Sequence, residues 1–137
     1  MARLGNIRTF IVPIGTNDQT YNLAYASYEK SMLAWIDEVG RVASRGADIL
    51  WVCAPENGRD PATFPLRMAE FTKRAKAVAL AKNIALLDMQ PLFGTAYADY
   101  GFGGTDRELI TADLLHPNDA GGAVYRQAIR NALTHRS

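Results

Sequence analysis

Residues 9–14, TFIVPI, make a continuous apolar run rich in β-branched side chains. That pattern belongs to a buried strand rather than to a half-exposed one. Pro13 narrows the reading, because it removes one donor from the ladder and favours a strand end or a sheet edge. The run stops at Gly15-Thr16-Asn17-Asp18, read here as a sharp polar turn.

The same grammar repeats downstream. Residues 22–45 carry a helical pattern with Leu33, Ile36, Val39 and Ala43 on one face, and Gly46 suits a left-handed position after the helix end. Residues 48–54, DILWVCA, predict a second buried strand, followed by the loop PENGRDPATFP. Residues 66–82 predict a second long helix, with Met68, Phe71, Ala75, Val78 and Ala79 on one face. Residues 84–87 predict a short third strand, and the Gly/Tyr-rich stretch 93–111 a loop. Strand, helix, strand, helix, strand, loop, helix implies parallel strands with helical crossovers: a three-layer α/β/α fold, flavodoxin-like in kind.

Ligands of such sheets bind beyond the carboxyl ends of the strands. Three polar clusters fall on that edge: GTND after the first strand, PENG after the second, and the loop leading to Asp113-Leu114-Leu115-His116-Pro117-Asn118 after the third. Pro117 keeps His116 out of the helix beyond, which Asn118 or Asp119 can cap and which carries Val124, Ile129 and Leu133. Asp113 is near enough in sequence to accept the proton on one ring nitrogen, leaving the other as a base. The plainer reading, a loop histidine beside a turn-forming acid, loses ground because all three clusters converge on one edge.

The pair G-x-N-D after a buried strand and D-x-x-H-P before the last helix resembles the third and fifth sequence blocks of the SGNH (GDSL) hydrolase family. The resemblance implies a three-layer α/β/α domain that hydrolyses esters, acetyl or acyl esters of carbohydrates and lipids among them, without metal or organic cofactor. It implies that Asn17, beside Gly15, donates to the oxyanion, that His116 is the general base and that Asp113 orients it. An Asn amide on a rigid strand-end turn is a suitable oxyanion donor, worth roughly 3–4 kcal/mol of barrier. Asp18 reads better as a brace of its turn than as a substrate contact.

The family's nucleophile, the serine of a Gly-Asp-Ser motif, has no counterpart here, and neither has its second block. Ser27, Ser31 and Ser44 fall in the first helix pattern and Ser137 ends the sequence; they read as solvated hydroxyls. The expectation is therefore that residues 1–137 are the carboxyl-terminal part of one SGNH-like domain, incomplete on its amino-terminal side. A first strand left at an edge exposes apolar surface and unpaired backbone, so TFIVPI is expected to pair with a missing amino-terminal segment or a second copy. A shortened, inactive relative is the other reading.

Remaining residues are less informative. Glu56 and Asn57 lie on the functional edge and are candidate substrate contacts, with a role in the turn as the competing reading. Cys53 reads as a buried inert thiol, His135 as surface, and Trp35 and Trp51 as core. Tyr97, Tyr100 and Phe102 among glycines are equally a sugar-stacking lip or anchors of a loop. Two distant histidines argue against a zinc site. A net charge of +1 without basic or acidic blocks argues against nucleic-acid binding, and no apolar run is long enough to span a bilayer. The expected partner is a small-molecule or glycan ester; a non-catalytic carbohydrate-binding or assembly module, such as the end of a phage tail fibre or spike, is the rival.

Overall fold

The computed structural model describes residues 9–42, 47–56, 62–63, 65–93, 107–113 and 115–134. Its elements run β1 (Thr9–Ile14), α1 (Thr16–Thr20), α2 (Tyr25–Val42), β2 (Asp48–Cys53), α3 (Met68–Lys82), β3 (Ala85–Asp88) and α4 (Asp119–Thr134), with 3₁₀ turns at Gln90–Leu92 and Arg107–Leu109. The strands pair in parallel in the order β1-β2-β3. Ile14 lies opposite Cys53, and Cys53 opposite Asp88. The carboxyl ends of the three strands thus stand side by side, and they position the site.

β2 shows why the sheet needs helices on both faces. Ile49, Trp51 and Cys53 point into one core with Tyr28, Met32, Ile36 and Val39 of α2 and Met68, Phe71, Ala75, Val78 and Ala79 of α3. Leu50 and Val52 point the other way, into a smaller core with Met89, Phe93, Ile110 and Ala128. The two-residue period of a strand sorts these side chains onto opposite faces. Three layers result, as the element order predicts.

Several boundaries differ from the sequence reading, each for a local reason. GTND is not a plain turn: Thr16–Thr20 winds one helical turn, with Thr20 Oγ1 donating to the Thr16 carbonyl at 3.0 Å. Gly15 permits it, taking φ 130°, a conformation open to few other residues. Asn22, in left-handed geometry, then delays α2 to Tyr25. The buried stripe of α2 is Tyr28, Met32, Ile36 and Val39, with Leu33 only packed at its side. Ala43 and Gly46 lie outside the described residues. α3 begins two residues late, because Arg67 stays extended and donates its N–H to Tyr25 Oη at 2.8 Å. It ends on left-handed Asn83. Leu133 is 39% exposed and does not join the α4 stripe.

β1 is one of the two edge strands among the described residues, a place that suits Pro13. Phe10 and Val12 pack into the larger core, whereas Ile11 is 43% exposed and Ile14 36%.

Candidate active site

Beyond the strand ends lies a cleft of about 290 Å³, lined by residues from both ends of the chain. Ile14, Gly15, Asn17 and Asp18 come from β1 and α1, Pro55 and Phe93 follow β2 and β3, and Leu115, His116 and Tyr125 come from the last segment. Asn17 and His116 therefore share one cleft, which parallel strand order makes possible across 99 residues of sequence (17 to 116).

The histidine loop is a closed hairpin. Ile110 and Pro117 form an antiparallel bridge, Thr111 N–H donates to the His116 carbonyl at 2.8 Å, and Asn118 N–H to the Leu109 carbonyl at 3.0 Å. Asn118, rather than Asp119, caps α4: its Oδ1 accepts from Gly121 N–H at 3.0 Å. Its Nδ2 donates back to the Glu108 carbonyl at 2.7 Å and the Ile110 carbonyl at 3.3 Å. One side chain thus starts the helix and ties the loop to it. Gly121 lets α4 approach this closely, since a Cβ there would stand 2.1 Å from the Leu109 carbonyl oxygen.

Inside the hairpin, His116 Nδ1–H donates to Asp113 Oδ2 at 2.5 Å. Asp113 Oδ1 accepts from Thr111 Oγ1 at 2.5 Å, Leu115 N–H at 2.9 Å and His116 N–H at 3.0 Å. The Thr111 hydroxyl, then the His116 ring, then the two backbone donors hold the Asp113 carboxyl well below the usual carboxylate range. An ionised acid on Nδ1 leaves Nε2 without a proton when the ring is neutral, the form that can accept one. The His116 side chain is 68% exposed, so it is open to a partner from outside.

The other expected site residues fall differently. Gly15 lines the cleft, and a Cβ on it would come 3.0 Å from Met68 Cε. Asp18 lines the cleft too, and burial pushes its carboxyl above the usual range. Glu56 corrects the sequence reading: it is only 2% exposed and is no cleft residue. Its carboxylate meets Arg67 Nη2 at 3.3 Å, and accepts from Ala69 N–H at 3.3 Å and Gln19 Nε2 at 3.4 Å. Gln19 also donates to the Leu66 carbonyl at 2.7 Å. Glu56 thus joins α1 to the start of α3. Asn57, Tyr97, Tyr100, Phe102 and His135 lie outside the described residues. Burial, then the charge of Asp88, pushes the Cys53 thiol up to about 12, so it is inert. Ser27 and Ser31 stand in α2, and no serine is among the described residues lining the cleft.

Thr111 and Gln19 were missed from sequence. A threonine two residues before the acid was a readable signal, since Ser and Thr hydroxyls bond locally in turns. Gln19 had none, its partners being 37 and 47 residues away.

In fold the chain is similar to the α/β/α SGNH (GDSL) hydrolases. No family model matches the chain and no curated protein does; the likeness is to solved structures. A Streptococcus pneumonia protein provisionally named platelet activating factor superposes with TM-score 0.79 at 17% identity, over 94% of this chain and 61% of that one. A lipolytic protein of the G-D-S-L family from Veillonella parvula gives TM-score 0.68 at 18% identity, over 92% and 63%. An acetyl xylan esterase, AlAXEase, gives 0.68 at 17%, over 91% and 66%. The chain spans about three-fifths of the length of the structures it matches.

Proposed function

We propose that the chain carries the acid–base and oxyanion parts of an SGNH-type serine ester hydrolase, as the carboxyl-terminal part of that domain. The observation that carries the reading is the Asp113–His116 hydrogen bond beside a cleft that Asn17 also lines. In this reading a serine hydroxyl comes from a segment paired at the β1 edge, a preceding stretch or a second copy. His116 Nε2 takes the serine proton as the oxygen attacks the ester carbonyl carbon. The carbonyl oxygen becomes an oxyanion that the Asn17 amide meets as donor. His116 then protonates the departing alcohol as the ester C–O bond breaks. Water repeats the sequence on the acyl-serine, releasing the acid. Asp113 holds the ring through both halves.

The substrates are small O-acyl esters, with O-acetyl groups on carbohydrate as the class to test first. The kinship in fold with an acetyl xylan esterase supports that choice, as does a cleft with room for a short acyl group.

Hydrolysis of p-nitrophenyl acetate by the full-length protein tests the reading. His116→Ala is expected to lower kcat/KM by about 10²–10⁴, and Asn17→Ala by about 10²–10³. Hydrolysis indifferent to His116→Ala removes the proposal, and glycan binding without hydrolysis favours a carbohydrate-binding module.

A further inference from the structure

Asp113 presents its two carboxylate oxygens unequally. Among the described residues Oδ2 meets only the His116 ring, while Oδ1 collects three donors. Two of those, the Leu115 and His116 N–H groups, belong to the loop that bears the ring. The third comes from Thr111, on the other arm of the hairpin, beside the Ile110–Pro117 bridge. The terminal torsion of an aspartate is soft and roughly two-fold. Donors from both arms are what stop the carboxylate from rolling and trading its oxygens.

Thr111 is itself well held. Its N–H donates to the His116 carbonyl at 2.8 Å, and its β-branched side chain restricts χ1. Its hydroxyl proton has two acceptors in reach, Asp113 Oδ1 at 2.5 Å and the His116 carbonyl at 3.2 Å. The charged, nearer oxygen wins that competition.

We propose that Thr111 is a positioning residue for the Asp113–His116 pair: its hydroxyl, donated to Asp113 Oδ1, turns Oδ2 onto His116 Nδ1 and so selects the Nδ1–H tautomer. The inference rests on the reading of His116 as the base only for its consequence in hydrolysis, not for its geometry. The depressed carboxyl of Asp113, whose largest cause is this hydroxyl, agrees with it. Asp18 from α1 and Tyr125 from α4 are the other titratable groups among the described residues lining the cleft, and neither hydrogen-bonds to the pair.

The test is a long-range proton–nitrogen NMR spectrum of the 15N-labelled 137-residue chain, recorded at alkaline pH where the imidazole is neutral. The Nδ1–H tautomer of His116 is expected to dominate. Thr111→Val keeps the shape and deletes the donor, and is expected to lower the ratio of Nδ1–H to Nε2–H by roughly tenfold, the effect of losing one charge-assisted hydrogen bond. Thr111→Ser is expected to restore it. If Thr111→Val does not fold, Thr111→Ala takes its place against the same Thr111→Ser control. An unchanged tautomer in the donor-less variant overturns the proposal, as does failure of Thr111→Ser to restore the ratio. The readout needs no turnover: a tautomer shift without ester hydrolysis by the full-length protein sinks the esterase reading alone, and hydrolysis without a shift sinks the Thr111 role alone.

Discussion

Asp113 and His116 are three residues apart, and nearly every bond that orients them is made within the six residues from Thr111 to His116. That locality is why the pair could be read from the sequence: an acid, a short spacer, a histidine and a proline fix their own geometry. Their acid response follows with its sign. In the folded chain the Asp113 carboxyl titrates well below the ordinary Asp value of about 3.9. Between the two values the unfolded chain binds the extra proton and the folded chain does not, so protonation favours unfolding. The contribution is fully present above the ordinary Asp range and is lost as pH falls through the folded value. Asp113→Asn is therefore expected to flatten the acid limb of a stability–pH curve measured by urea denaturation at pH 2–5. The effect is modest, because the side chain is half exposed and solvent screens it. Glu56 shows the opposite case. Its letter in the sequence allows a substrate contact, but its fate was decided by Gln19, Arg67 and the α3 amides, which only folding brings to it.

Among the elements, β2 and α3 were the most legible. Every position expected on the inner face of α3, from Met68 to Ala79, is buried, because its apolar spacing leaves one choice of face. α1 was not legible, since a helical turn over TNDQT depends on a single φ at Gly15. The junction between the histidine hairpin and α4 was half legible: Asn118 announced a cap, while nothing announced that Gly121 admits the Leu109 carbonyl. Gly121→Ala puts a methyl where backbone stands 2.1 Å away, and neither partner is a flexible side-chain tip. It is expected to cost about 1–3 kcal/mol in chemical denaturation, the range for overpacking. Gly122→Ala is the control, its nearest neighbour being the mobile end of Arg126 at 3.4 Å; it is expected to be tolerated.

At the scale of the molecule the sheet has two edges among the described residues, β1 and β3, and they are covered differently. Its α2/α3 face holds the larger core, and β3 is backed by α4. β1 offers Ile11 and Ile14 to solvent, and among the described residues no strand pairs with its outer side. Such an edge is expected to bind another strand. Ile11→Lys is accordingly expected to lower the weight-average mass of the 137-residue chain in sedimentation equilibrium, because charge on an edge strand opposes pairing. A chain that already sediments as a monomer and melts cooperatively contradicts this expectation. The apolar run of β1 was plain in the sequence; what covers it was not, because an edge and a centre strand share the same letters.

The hairpin that holds the imidazole is locked from its far side, by Asn118 and by the notch at Gly121. During synthesis these two latches leave the ribosome after the residues they secure. The bonds within the acid–histidine loop can form first, and the hairpin that carries them is fastened to α4 only when that helix has emerged and docked. A chain halted just past Pro117 would carry the acid–ring pair on a hairpin with nothing to fasten it.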